Sequence, residues 1–175
     1  GFTLIEIIIV IVILSIVSAI AIKFLVDSLR VYTMTVNQKT LFDEGKLTLE
    51  RMCRDIRDAR IISVPNTGSS GTSITFTRTN ATAQDIAGET IIFQRNAGAS
   101  TLEKVKASPV VTITMAANVS AFAVTNAPNE IQLQLTLQLT SGENVTLQTK
   151  VYPQNLVRST TYKNFAQNWR EDRSL

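Results

Sequence analysis

The sequence predicts an α+β protein in which one long N-terminal helix packs against an antiparallel β-sheet. Three observations carry this prediction. Residues 7–22 form an unbroken apolar run, and apolar side chains then recur at helical spacing to about residue 60. Most of the remaining chain alternates between apolar and polar residues, as strands do. At 175 residues, the chain has room for one apolar anchor and one globular domain of ordinary size.

The apolar run begins the helix. Ile7 to Ile22 comprises sixteen residues without a charge, and its only polar side chains are Ser15 and Ser18. Counted from Phe2, the segment is long enough as a helix to cross a hydrocarbon core of roughly 30 Å. A lone segment in lipid satisfies its backbone groups only as a helix. The run therefore predicts a membrane-spanning helix.

The helical pattern continues past the apolar run as an amphipathic stripe. In its second half the predicted buried face consists of Phe42, Leu49, Met52, Ile56 and Ala59. No proline interrupts residues 2–64, and Gly45 is the weak point, with a cost of up to ~1 kcal/mol relative to alanine. We expect one helix of about 60 residues, roughly 90 Å long.

A loop from Pro65 to Ser73 separates this helix from a strand-rich region. The clearest strand spans Glu130 to Thr140, where leucines and one isoleucine alternate with glutamines and threonines. Such alternation predicts an antiparallel sheet with one buried face, which the helix stripe would cover. The other strand candidates are residues 74–77, 90–95, 101–106, 110–115, 119–124 and 145–152.

These patterns divide the chain into four parts. Residues 1–24 form the apolar helix half, residues 25–62 the amphipathic helix half, residues 63–155 the β domain and residues 156–175 a polar C-terminal tail. The tail carries Tyr162, Phe165 and Trp169 at spacings of three and four. We expect these aromatic residues to dock on the domain, and docking on a neighbouring subunit is the alternative.

Composition excludes most catalytic chemistry. The chain has no histidine and a single cysteine, Cys53, so it forms no internal disulfide and lacks the usual metal and triad residues. It also lacks a Gly-x-Ser-x-Gly turn and a glycine-rich phosphate loop. The sequence therefore predicts a protein that is not an enzyme and binds no metal or cofactor. We expect Cys53 to be buried on a helix face, with a free thiol or a bond between chains as alternatives.

The charge pattern does not predict a nucleic-acid partner. The net charge of +3 is small and evenly spread. Arg51, Arg54, Arg57 and Arg60 form a basic stripe, but acidic residues lie between them. A solvated or subunit-contacting face is the preferred interpretation of this stripe.

Glu6 is the anomaly of the N-terminal segment. A carboxylate at the edge of a transmembrane run is costly and marks a functional position with a partner. The helix dipole favours a negative side chain in the first turn, and a free amino terminus nearby would supply the opposite charge. A Glu6 carboxylate that is merely solvated at the headgroup level is the alternative.

The residues from Gly1 to Glu6, followed by the apolar run, resemble the processing site of type IV pilins and type II secretion pseudopilins. The resemblance implies that a prepilin peptidase of the membrane cleaves after Gly1 and methylates the new amino terminus at Phe2. It implies that Glu6 pairs with this amine, on its own or a neighbouring chain, during assembly. It also implies that the apolar helices pack together as the core of a filament.

The resemblance thus implies a structural subunit of a type IV pilus-like extracellular filament. Its partners would be further copies of itself and related pilins, with the inner membrane holding the subunit before assembly and an extracellular or periplasmic filament afterwards. Many major pilins carry a proline near the position of Lys23, so a minor pseudopilin at the tip of a type II secretion filament is the alternative. A third possibility is a signal-anchored binding module, and Ser18 to Ala21 also fits an ordinary secretory cleavage site.

Overall fold

The computed structural model describes residues 1, 3–107, 109–128 and 130–156. Within these residues, one helix, α1 (Leu4–Arg57), is followed by nine strands: β1 (Ala59–Val64), β2 (Ser70–Gly71), β3 (Ser73–Arg78), β4 (Thr90–Asn96), β5 (Thr101–Ala107), β6 (Val110–Ala116), β7 (Val119–Asn126), β8 (Ile131–Gln138) and β9 (Asn144–Val151). The α+β arrangement, a long N-terminal helix packed on antiparallel β-structure, is confirmed. The predicted tail aromatics Tyr162, Phe165 and Trp169 lie outside the described residues.

The strands form two antiparallel sheets instead of the single sheet that was predicted. One sheet has the order β1-β3-β4-β5-β6, and the other has the order β2-β7-β8-β9. Strand β7 contacts β3, β4 and β5 of the other sheet. Because both sheets alternate apolar and polar residues, sequence periodicity does not show where one sheet ends and the next begins.

The core lies between α1 and the inward faces of the two sheets. In β8, the alternation seen in the sequence buries Ile131, Leu133, Leu135 and Leu137 and exposes the glutamines between them. The five-stranded sheet contributes Phe76 and Phe93, whose ring centroids lie 5.6 Å apart. Burial of each large apolar side chain stabilises the fold by about 1.5–3 kcal/mol.

The helix ends earlier than the sequence predicted. Asp58 caps α1, and its carboxylate accepts hydrogen bonds from the Asn80 amide nitrogen at 2.9 Å and from Asn80 Nδ2 at 2.6 Å. Residues 59–64 then pair with β3, with Ile62 opposite Phe76. The helix prediction for residues 58–62 is therefore wrong. The β-branched residues Ile61, Ile62 and Val64 favour the strand.

The buried stripe of α1 is shifted by one residue from the prediction at its N-terminal end. Leu41 is buried, whereas Phe42 is exposed. Leu49, Met52 and Ile56 are buried as predicted, together with Gly45 and Thr48. Ala59 is also buried, although it belongs to β1. Helix α1 contacts mainly β8 and β9 through this stripe, with further contacts to β3 and β6.

Candidate functional site

The N-terminal part of α1 has no tertiary cover in the single chain. Every described residue from Leu4 to Val36 is exposed, and the first half-buried position is Asn37, whose Nδ2 donates to Glu143 Oε1 at 3.2 Å. The uncovered segment of 33 residues is about 50 Å long at 1.5 Å per residue. Residues 7–22 of this segment carry no charge, and an exposed apolar surface of this extent marks a membrane or protein contact.

Helix α1 also meets the length and composition of a membrane span. Its most apolar 18-residue window has a mean hydropathy of 3.1, and none of that window is buried against the rest of the chain. Among the described residues, this is the one helix that meets both criteria. The apolar side chains point in all directions around the helix, as expected of a segment surrounded by lipid or by other helices.

Several hydroxyl groups of this segment bond to its own backbone. Ser15 Oγ donates to the Ile11 carbonyl at 2.7 Å, and Ser28 Oγ donates to the Phe24 carbonyl at 2.8 Å. Thr35 Oγ1 likewise donates to the Val31 carbonyl at 2.9 Å. These hydroxyl donors are therefore already satisfied when the helix leaves water.

Glu6 lies in the first turn of α1. Its Oε2 accepts a hydrogen bond from the Thr3 amide at 3.3 Å and another from Thr3 Oγ1 at 3.4 Å. The carboxylate thus caps the helix N-terminus, where the dipole favours a negative charge. No cation lies within ion-pair distance of Glu6 in the described part of the chain. Gly1 is exposed, and Phe2 lies outside the described residues, so the predicted pairing of Glu6 with the Phe2 amine stays a prediction.

At its other end, α1 is joined to the five-stranded sheet by a group of charged residues that sequence reasoning missed. We call Asp55, Arg78, Asp85, Lys104 and Lys106 the ion cluster. Arg78 Nη1 lies 2.8 Å from both Asp55 Oδ1 and Asp85 Oδ2, and Lys104 Nζ lies 2.9 Å from Asp55 Oδ2 and 2.6 Å from Asp85 Oδ2. The cluster holds three positive and two negative side chains, and two more carboxylates lie at its edge: Asp58 Oδ2 is 3.5 Å from Arg78 Nε, and Glu89 Oε2 is 3.8 Å from Lys106 Nζ.

The negative charges of the ion cluster are well stabilised. Burial raises the pKa of Asp85, but hydrogen bonds from Lys104 and Lys106 outweigh burial and hold this pKa below the usual carboxyl value. Lys106 Nζ lies 2.8 Å from Asp85 Oδ1, and this contact raises the pKa of Lys106. The members are separated by up to 51 positions (55 to 106) along the chain, so helical or strand spacing gives no signal for the cluster.

Cys53 is partly buried on α1, facing β9. Its Sγ donates to Thr149 Oγ1 at 3.9 Å, and burial raises the pKa of the thiol. A raised pKa disfavours the reactive thiolate. The structure therefore supports packing as the role of this free thiol. Within the described residues, no three His, Cys, Asp or Glu side chains are grouped as metal ligands are.

Comparison with known proteins identifies the N-terminal segment. Residues 1–22 match the family model described as the prokaryotic N-terminal methylation motif. This motif is the signature of type IV pilins and pseudopilins, and it contains the cleavage site of the prepilin peptidase. The chain therefore combines a pilin-type processing motif with a pilin-like arrangement of one long helix on antiparallel sheets. No curated protein and no solved structure matches the chain.

Proposed function

We propose that this protein is the structural subunit of a type IV pilus-like extracellular filament, assembled through residues Phe2 to Ile22. The observation that carries the proposal is the uncovered apolar segment of α1, which has one carboxylate, Glu6, near its start. The methylation motif at residues 1–22 supports the same conclusion. Before assembly the segment is held by the inner membrane, and afterwards it is covered by the same segment of other copies or of related pilins.

Processing prepares the subunit for assembly. The prepilin peptidase cleaves between Gly1 and Phe2 and methylates the amine of Phe2. This amine carries a positive charge, and Glu6 lies one helical turn away with no cationic partner among the described residues. Once the helices bundle and exclude water, Glu6 pairs with the amine of its own or a neighbouring chain. A buried pair that loses one member costs about 3–5 kcal/mol, so the pairing selects subunits in the correct register.

The proposal assigns a role to each part of the chain. Residues 1–24 form the membrane anchor and the filament core, and the rest of α1 connects this core to the β domain. The two sheets face outward, toward the medium. As a filament subunit the protein has no catalytic site and requires no cofactor, metal ion or nucleic acid.

A minor pseudopilin at the tip of a type II secretion filament is the second candidate. The observation that favours it is the continuous helix through Lys23, near which many major pilins have proline. The two candidates differ in stoichiometry. Filaments built from this chain alone support the first candidate, and a rare complex of several different subunits supports the second.

The test is to produce the chain in a bacterium with a prepilin peptidase and a matching assembly machine. Mass spectrometry of the mature protein should find N-methyl-phenylalanine at Phe2. Intact Gly1 would show that the chain is not a substrate of the peptidase, and a start near Ile22 would show an ordinary secretory signal.

A Glu6→Ala variant tests the assembly step. We expect it to enter the membrane at the normal level and to yield no filaments. Glu50→Ala is the matched control, because Glu50 is an exposed glutamate of the same helix whose contact to Lys46 Nζ is 4.0 Å long. Normal filament yield from Glu6→Ala would refute the pairing. A wild-type chain that stays in the membrane and never polymerises would favour the binding-module alternative.

A further inference from the structure

Besides Glu6, the uncovered part of α1 carries three charged residues, Lys23, Asp27 and Arg30, and the first two are four residues apart. Both side chains are exposed, and neither makes an ion pair within the described residues. They are four residues apart and so lie on one side of the helix, but the order of lysine before aspartate is the weaker one for pairing within a helix. Both charges are therefore available to a second molecule.

The spacing of these residues repeats the spacing at the processed N-terminus. Glu6 lies four residues after Phe2, and Asp27 lies four residues after Lys23. These two pairs of residues are 21 positions apart along the chain, which equals three heptads. In a left-handed supercoil, the Phe2–Glu6 pair and the Lys23–Asp27 pair lie on the same face of the helix. In a straight helix, their directions around the helix axis differ by about 60°.

A single axial displacement between two neighbouring helices brings Phe2 level with Glu6 and Lys23 level with Asp27. When a second, parallel copy is shifted by four residues, or about 6 Å, its Phe2 amine lies at the level of Glu6. The same shift brings Lys23 of the second copy to the level of Asp27. The match requires removal of Gly1, because an amine on Gly1 would be five residues from Glu6.

We propose that Asp27 of one subunit pairs with Lys23 of the next and that this second ion pair fixes the register of the filament together with the pair at Glu6. The proposal rests on the filament function above. Without the pairing, close contact between the helices would leave both charges desolvated and unpaired, which is strongly unfavourable. The partner is a second copy of this chain, recognised by charge complementarity at a defined axial offset.

Arg30 provides the matched control. It lies on the same uncovered segment, three residues after Asp27, and is also exposed. At the four-residue displacement it stands level with Val26 of one neighbour and Met34 of the other, so no carboxylate is opposite it. The proposed register therefore requires Lys23 and does not require Arg30.

The experiment uses charge reversal in the complete chain, with processing and membrane level checked by mass spectrometry and immunoblotting. We expect Lys23→Glu and Asp27→Lys, each produced alone, to lower filament yield about tenfold or more. Arg30→Glu should leave the yield within about twofold of wild type. When the Lys23→Glu and Asp27→Lys chains are produced together, each supplies the charge that the other lacks, so mixed filaments should form.

The outcomes separate this inference from the function on which it rests. If the wild-type chain forms no filaments, the proposed function fails and the register pair fails with it. If wild type and both single reversals form filaments equally well, the filament function stands and the register pair is refuted. If both reversals fail alone and also fail together, the charges act within one helix, which likewise refutes the intermolecular pair.

Discussion

Gly45 of α1 lies directly against Leu147 of β9. A Cβ atom at position 45 would stand 2.7 Å from Leu147 Cδ1 and 2.8 Å from Leu137 Cδ1, both well inside normal contact distance. Glycine weakens the helix at this point, but it lets α1 approach the four-stranded sheet closely. The residue that weakens the helix therefore lies at a close contact between α1 and the four-stranded sheet.

The close approach at Gly45 predicts that alanine is unfavourable there. Gly45→Ala gains up to ~1 kcal/mol of helix propensity but overpacks the contact at a cost of about 1–3 kcal/mol. We expect a net loss of about 1 kcal/mol in the free energy of unfolding, measured by denaturant titration in detergent. At Gly98 a new Cβ would meet Asn96 Oδ1 at an ordinary 3.6 Å, so Gly98→Ala is the control. Equal stabilities of the two variants would contradict the packing role.

The ion cluster predicts a large effect from one buried carboxylate. Asp85→Ala would leave Lys104 with Asp55 and Arg78 with Asp55 and Asp58, whereas Lys106 would keep a 3.8 Å contact with Glu89. We expect the free energy of unfolding to fall by about 3–5 kcal/mol. Glu50→Ala removes an exposed contact of 4.0 Å and should cost less than about 0.5 kcal/mol. A small effect at Asp85 would show that the cluster does not attach the helix to the sheet.

The lowered pKa of Asp85 predicts acid sensitivity. Its ionised form is favoured in the folded protein, so its contribution is fully present above the unfolded pKa of about 3.9. This contribution is lost as the pH falls through the lower folded value. Unfolding free energy measured from pH 6 downward should therefore decline, and the decline should be smaller in Asp85→Asn. If the unfolding free energies of the wild type and of Asp85→Asn declined equally with pH, Asp85 would not be the source of the acid sensitivity.

The surroundings of Cys53 predict that its thiol reacts slowly with alkylating reagents. Burial raises its pKa, and the side chain packs against the core. We expect alkylation by iodoacetamide at pH 8 to be about tenfold slower or more than for a cysteine introduced at exposed Ser63 in a Cys53→Ser background. Denaturant should abolish the difference. Equal rates in the folded proteins would place Cys53 in an open site.

The local sequence pattern predicted the individual helix and strands better than it predicted how they are arranged in the fold. The alternation of β8 and the long helix follow directly from side-chain period, so both were predicted from sequence. Residues 59–64 were missed because the helix there ends through a distant contact, Asp58 with Asn80, which local sequence does not encode. The division into two sheets and the position of Leu41 in the core are likewise set by tertiary packing.

The same distinction holds for the candidate site. Gly1, Phe2 and Glu6 form a contiguous motif, so sequence alone was enough to single them out. The pairing of Glu6 with the Phe2 amine, on its own or a neighbouring chain, stays a prediction. The ion cluster draws on α1, β5 and the β3–β4 region, and only the folded chain brings these parts together.

Attachment of α1 along its second half has a mechanical consequence. From Leu41 to Ile56 the helix is packed on the sheets, and the ion cluster attaches its C-terminal end to the five-stranded sheet. A force on the β domain is therefore transmitted to the helix without a hinge. The stretch before Asn37 is supported within one chain by its own backbone hydrogen bonds. Under tension this stretch would extend first, while the β domain stays folded.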